Sequence, residues 1–169
     1  GFYPDRAGMR LEIERTNPDG LVQGGGGLPL LAPQRRIQVV AGSFGWNETQ
    51  PGMNATPALG AARARALELW MLPHGFIKAA YLGGADTTTT MEGGATIITA
   101  PVPGMAGTTM KATLNTENLI DRVEVLVDNP VLGDVLIETS YSDYGELGGA
   151  ILLPSDVLFP ARIVQTQGG

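Results

Sequence analysis

The chain contains one histidine, His74, and this limits the chemistry it can perform alone. A zinc site requires several ligands that converge on one ion, and a serine triad requires a histidine base. No Gly-x-Ser-x-Gly segment is present, since Gly42-Ser43-Phe44-Gly45 has a different spacing. The absence of cysteine excludes disulfides, thiolate metal sites and cysteine nucleophiles. We therefore expect no catalytic residue, metal site or cofactor, and interpret His74 as a structural or capping residue.

Carboxylates are the remaining candidates for catalysis, because paired acids can transfer protons without a histidine. Five of them lie on neighbouring predicted segments: Asp121, Glu124, Asp134, Glu138 and Asp143. Asp134 follows a glycine and Asp143 lies between Ser142 and Tyr144, which is typical of turns stabilised by side-chain to backbone hydrogen bonds. We interpret the five as solvated strand and turn residues, so a carboxylate-only hydrolase ranks last among the functions considered.

Four aromatic residues surround an alanine-rich segment, and they are the candidate ligand-binding residues: Trp46, Trp70, Phe76 and Tyr81. Bulky rings between a sheet and a helix can line an apolar cavity, which would suit a lipid-like or other apolar ligand. They can equally fill the space as core. The sequence leaves both interpretations open.

Composition restricts the partners. The formal net charge is −6, and the basic pairs Arg35-Arg36 and Arg63/Arg65 are too small for a nucleic-acid footprint. No apolar run approaches the ~20 residues of a membrane helix, so no membrane span is expected. Only 17% of residues are charged, which indicates apolar surface covered by a ligand, a neighbouring domain or an identical subunit.

Periodicity predicts two strands in the first third of the chain. Residues 9–15 alternate apolar and charged side chains, and residues 36–44 alternate around Ile37 and Val39. Between them, residues 17–33 contain the run Gly24 to Gly27 and predict a long loop. The first 34 residues therefore form an N-terminal segment with a glycine-rich loop.

A helical insert is predicted over about residues 57–82. Thr56 and Pro57 suit an N-cap and a first helical position, and Pro73 divides the insert into two helices. In the first helix the spacing places Arg63, Arg65 and Glu68 largely outside. In the second helix it places Phe76, Ile77, Ala80 and Tyr81 on the buried side.

Residues 86–165 predict an antiparallel meander, because short strand-like segments alternate with Gly, Pro, Asn and Asp turns. Such a sheet must cover one face, and the insert is the only helical segment available to do so. We expect an α+β fold in which one strongly curved antiparallel sheet, a half-barrel, clasps the short helical insert. Residues 1–169 are expected to form a single domain.

Six segments of the chain carry a family resemblance when they are taken together. They are Gly42-Ser43-Phe44-Gly45-Trp46-Asn47, Leu72-Pro73-His74-Gly75-Phe76-Ile77-Lys78-Ala79-Ala80, Asn129-Pro130-Val131-Leu132-Gly133-Asp134, Glu138-Thr139-Ser140-Tyr141-Ser142-Asp143-Tyr144, Gly148-Gly149 and the segment from Phe159 to Gly169. Together they resemble the N-terminal region that precedes the catalytic domain in exported bacterial metallo-β-lactamase-fold hydrolases. The likeness spans roughly residues 35–169 and is weaker over residues 3–27. A looser likeness of pattern links the tyrosine-rich turn and Phe-Pro strand to periplasmic lipoprotein-carrier half-barrels.

The resemblance implies an accessory domain that is periplasmic or secreted and associated with a zinc-dependent hydrolase. The family's histidine-rich metal motif is absent from this chain, so no catalytic residue can be carried over. Residues Ile151 to Leu158 are inserted where the family runs directly from the glycine pair to the Phe-Pro strand. The end at Gly169 leads us to expect that a following catalytic domain is missing from this chain.

Two functions of different classes are therefore expected. The first is a non-catalytic accessory domain that binds an apolar or lipid-like ligand or packs on the catalytic domain. The alternative is a structural or assembly domain that packs through strand edges into a homo-oligomer or filament. The aromatic cluster favours the first, whereas the low charge suits both.

Overall fold

The computed structural model describes residues 2–3, 7–17, 30, 32–129, 133–146 and 157–168. The run Gly24 to Gly27, Pro130, the pair Gly148-Gly149 and most of the 151–158 insertion lie outside the described residues. The chain divides into two compact units, residues 1–69 and residues 70–169, with the boundary inside a helix. Each unit contains one antiparallel sheet.

The predicted α+β class and the antiparallel pairing are confirmed, but the strands form two sheets where one was expected. Within the described residues both sheets are open, because their two end strands do not pair with each other. Two short helices follow each other between the sheets in the sequence. No described helix combines the length and apolar character needed to cross a membrane.

The sheet of the first unit has five strands, each paired antiparallel with the next. In the third strand Ile37 and Val39 are buried on one face and Val40 on the other, where it pairs with the buried Met9 of the second strand. The strands are β1 (Phe2–Tyr3), β2 (Gly8–Arg15), β3 (Gln34–Ala41), β4 (Phe44–Glu48) and β5 (Thr56–Pro57).

The first helix begins later than the sequence predicts. Thr56 and Pro57 form strand β5 instead of a helix start, because the Ala58 N–H donates to the Gly45 carbonyl at 2.8 Å and keeps the chain extended beside β4. A Cβ on Gly45 would lie 2.9 Å from the Ala58 oxygen, so glycine permits this approach. A short 3-10 turn (Leu59–Ala61) then leads into helix α1 (Ala62–Met71).

The second unit contains helix α2 (Pro73–Gly83) and a six-stranded meander. Pro73 occupies the first turn of α2, where its missing N–H costs no helical hydrogen bond. The strands are β6 (Thr88–Glu92), β7 (Ala95–Pro101), β8 (Thr109–Leu114), β9 (Ile120–Asn129), β10 (Gly133–Glu146) and β11 (Leu158–Gly168). Helix α2 packs against β7 and β9.

One face of this second sheet is apolar and the other is polar. Pairing places Ala112 beside Val123 and Met110 beside Val125, and all four side chains are buried. On the other face, the Arg122 guanidinium lies 3.5 Å from Glu124 and 3.6 Å from Glu138. These partly exposed ion pairs contribute little stability and mark the solvated face.

Candidate functional site

A cavity of about 470 Å³ lies within the second unit, between α2 and the apolar face of its sheet. Its volume falls in the range of ~300–1,000 Å³ that is typical of small-molecule sites. Most of its walls are aliphatic or aromatic carbon. The apolar lining includes Phe76, Ile77, Ala80, Ile98, Leu114 and Ile120.

The sheet register explains how these walls come together. Ile98 on β7 pairs with Ala112 on β8, and Ala112 pairs with Val123 on β9, so these three side chains share one face. A register shift at Leu114 then pairs it with Ile120. Since the shift brings Ile120 opposite Leu114 and onto the same face, both side chains line the cavity at this end.

Two tyrosines of β10 face the covered side of the sheet although they are three residues apart. Strict alternation would place Tyr141 and Tyr144 on opposite faces, but Asp143 between them has a φ of 57° and reverses the alternation. The Tyr141 hydroxyl donates to the Met71 carbonyl at 2.7 Å. The Tyr144 hydroxyl lines the cavity and donates to the Ile120 carbonyl at 2.5 Å.

The Tyr144 hydroxyl remains protonated at neutral pH. Burial raises its pKa to about 12, and the nearby Asp121 carboxylate acts in the same direction. Tyr144 therefore presents a neutral hydroxyl oxygen to the cavity, because its proton is already donated to the Ile120 carbonyl.

His74 provides the other titratable group of the cavity. Its ring stacks on Phe159, with centroids 5.8 Å apart and planes 9° from parallel. Burial lowers the pKa of the imidazole, so the neutral ring dominates at pH 7. Helix α2 has no side-chain cap, so His74 does not cap it, and the stacking contact fits the structural alternative.

The four aromatic candidates are not brought together in the cavity. Phe76 lines it and is 1% exposed, whereas Trp70 is buried but is not a lining residue. Tyr81 is 80% exposed, so the expectation that it lies on the buried side of α2 is wrong. Trp46 belongs to the first unit, where its indole N–H donates to Glu48 at 2.8 Å.

Sequence reasoning missed most of the lining residues. Leu114, Ile120 and Tyr144 depend on a register shift and on the backbone of Asp143, and neither feature has a clear sequence signal. His74 was considered, but only as a structural or capping residue. Its position directly after Pro73, at the start of a helix with an apolar face, is a signal that could have placed it beside a cavity.

A polar cluster in the first unit has the features of a structural anchor. Glu48 accepts hydrogen bonds from the Gly52 N–H at 2.7 Å and from the Trp46 indole, and its carboxylate pairs with Arg10. The Gly52 hydrogen bond, followed by those from Trp46 and Arg10, lowers the Glu48 pKa. A carboxylate held ionised by three donors is a poor proton donor, so this cluster gives no acid catalyst.

Comparisons of the chain with models of protein families, with curated proteins and with solved structures found no match. Among the described residues, no group of three or more His, Asp or Glu side chains is arranged to hold a metal ion. The cavity in the second unit is therefore the feature from which a function can be argued.

Proposed function

We propose that this chain is a non-catalytic accessory domain of an exported metallo-β-lactamase-fold hydrolase, and that it binds an apolar or lipid-like ligand. The observation that carries the proposal is the cavity between α2 and the second sheet. Its volume suits a small molecule, and its walls offer mainly carbon contacts.

The electrostatics of the cavity support an uncharged or largely apolar ligand. No Lys, Arg, Asp or Glu is found among the described residues that line it. His74 and Tyr144 are both neutral at pH 7. A charged ligand group placed there would lose its hydration without gaining an opposite charge, which is unfavourable.

Exposed apolar residues support an opening to solvent. Ile77 and Leu158 both line the cavity, and they are 59% and 40% exposed. A side chain that is exposed and also lines a cavity lies at its rim. An apolar rim would favour the entry of an alkyl chain or a ring system.

The accessory role, export to the periplasm or beyond, and association with a hydrolase domain rest on the resemblance carried by residues 35–169. The half-barrel belongs to the same proposal. Strong curvature of the second sheet around α2 would enclose more of a bound lipid-like ligand than a flatter sheet can. Nothing in the proposal assigns a catalytic role to the residues of this chain.

The proposal is tested with an uncharged fluorescent fatty-acid ester and a matched pair of variants on α2. Ile77 and Leu82 have similar exposure, 59% and 57%, but only Ile77 lines the cavity. We expect Ile77→Lys to weaken binding about tenfold or more, because an apolar ligand at the rim would lose the contact with Ile77 and partly desolvate the new ammonium group. Leu82→Lys should bind like the unmodified chain. Equal effects of the two substitutions, or no binding by the unmodified chain, would contradict the proposal.

The alternative, assembly through strand edges, is favoured by one specific observation. Strand β11 pairs only with β10 among the described strands, and residues 161–168 are exposed along its length. Arg162 is the one charged residue in β11. A long edge with so little charge is open to pairing with another strand.

A further inference from the structure

His74 is one of three polar side chains among the described residues that line the cavity, together with Asn118 and Tyr144. The Tyr144 hydroxyl, the other titratable group there, already donates to the Ile120 carbonyl. The His74 ring makes its stacking contact with Phe159 but no hydrogen bond within the described part of the chain. Neither ring nitrogen is therefore committed to another described group, and the ring lines the cavity.

The stacking contact fixes the plane of the ring. Phe159 lies nearly parallel to it, so rotation of the imidazole would break the contact between the rings. A neutral imidazole has one N–H donor and one acceptor nitrogen. The ring therefore presents a donor and an acceptor in a fixed plane beside an apolar volume.

We infer that His74 is the head-group contact for a single-chain amphiphile with an uncharged hydroxyl or ester head, whose alkyl chain lies against Phe76, Ile77 and Ile98. This inference rests on the proposed function and names its ligand class. The aliphatic walls contact the alkyl chain of the ligand, and the imidazole forms hydrogen bonds with its head group.

Other head groups fit the cavity less well. A carboxylate would be desolvated with no cation among the described lining residues. A plain hydrocarbon would cover the imidazole without replacing the hydrogen bonds that water makes to it, which costs free energy. A hydroxyl can both donate and accept, so it suits a ring that has one donor and one acceptor.

The test compares 1-decanol and decanoate by isothermal titration calorimetry on the full chain at pH 7.5. We expect 1-decanol to bind about tenfold or more tightly than decanoate. His74→Phe keeps an aromatic ring for Phe159 and removes the hydrogen bonds, and should weaken 1-decanol binding about five- to tenfold. His74→Gln restores a donor and an acceptor, and should recover most of the lost affinity. Thermal unfolding of each variant verifies that it is folded.

The outcomes separate the two proposals. Equal affinity for 1-decanol and decanoate, or unchanged 1-decanol binding by folded His74→Phe, would overturn the head-group role and leave the apolar site standing. If the unmodified chain binds neither compound nor the uncharged fluorescent fatty-acid ester, both proposals fail.

Discussion

At the residue scale, Arg65 shows how a single side chain can depart from its helical pattern. Spacing places it on the outer side of α1, yet it is 6% exposed. Its guanidinium donates to the Val39 carbonyl at 3.1 Å, the Trp46 carbonyl at 2.7 Å and the Asn47 side-chain oxygen at 2.6 Å. These bonds connect α1 to strands β3 and β4 within the first unit. Arginine can be buried here because its donors match three acceptors.

Replacing Arg65 should destabilise the first unit far more than replacing its exposed neighbour Arg63. Arg65→Met leaves two buried carbonyls and an amide oxygen without their donor, and we expect a loss of about 2–4 kcal/mol in the free energy of unfolding. Arg63→Met should change it by less than about 0.5 kcal/mol. Urea denaturation of both variants measures the difference. Similar midpoints for the two would show that the Arg65 bonds contribute nothing net.

Glu48 should make the stability of the chain depend on acid pH. Its pKa in the folded state is lowered from 4.5, so the unfolded chain takes up a proton first as the pH falls. The stabilisation from Glu48 is thus present above about pH 4.5 and is lost as the pH drops through the folded pKa.

The measurement is the unfolding midpoint from pH 7 to pH 3, followed by the fluorescence of the two tryptophans. We expect Glu48→Gln to lower stability at pH 7 and to flatten the acid decline. Glu68→Gln is the control, because burial raises the Glu68 pKa and gives the opposite slope. For Glu68 the stabilisation is present below pH 4.5 and is lost as the pH rises. An unchanged acid decline in Glu48→Gln would contradict this account.

At the element scale, the sequence predicted strands better than helix boundaries. Alternation over residues 9–15 matches β2, whereas the predicted strand at 36–44 spans the end of β3, a turn at Gly42 and the start of β4. Thr56 and Pro57 carry a good local helix signal, but the hydrogen bond from Ala58 to the Gly45 carbonyl overrides it. A contact between residues 13 positions apart has no local signature, so the pattern alone could not place the helix start.

The buried side of α2 shows why a second expectation was only partly correct. The residues expected on the buried side were Phe76, Ile77, Ala80 and Tyr81. Phe76 is buried as expected, at 1% exposure, whereas Ile77 and Tyr81 are exposed and the small Ala79 is 0% exposed. Small residues allow the helix to approach its neighbours: a Cβ on Gly83 would lie 2.8 Å from the ring of Pro101. Close packing therefore selected the side with the small residues, and this left apolar side chains at the rim of the cavity.

The cavity itself could not have been predicted from sequence. It joins residues that are far apart in the chain, such as His74 with Phe159 and Tyr144 with Ile120. Their meeting depends on the register of β8 against β9 and on the positive φ of Asp143. The sequence did indicate an apolar contact between helix and sheet, but only Phe76 among the four aromatic candidates lies in the cavity.

At the scale of the whole molecule, the low charge content leaves apolar side chains on the surface of both units. In the second unit these include Leu126 at 55% exposure, Ile163 at 45% and Val164 at 44%. Ile163 and Val164 lie on β11, whose main chain has a neighbour on one side only among the described strands. Pro160 cannot donate a ladder hydrogen bond, so residues 161–168 are the part of this edge suited to pairing.

The assembly hypothesis predicts that two copies of the chain pair through β11 in antiparallel orientation. Pairing centred on Val164 would place Arg162 opposite Thr166, so the single charge of the strand would not meet itself. We expect the unmodified chain to dimerise with rising concentration in sedimentation velocity, and the double variant Ile163→Lys/Val164→Lys to remain monomeric, because lysines on an edge oppose pairing. Leu126→Lys removes an exposed apolar side chain from β9, which has neighbours on both sides, and should dimerise like the unmodified chain.

If Leu126→Lys abolishes association as completely as the double variant, general apolar contact explains the assembly better than strand pairing. A chain that is monomeric at every concentration would eliminate the edge as a contact between copies and leave ligand binding as the explanation for the exposed apolar surface.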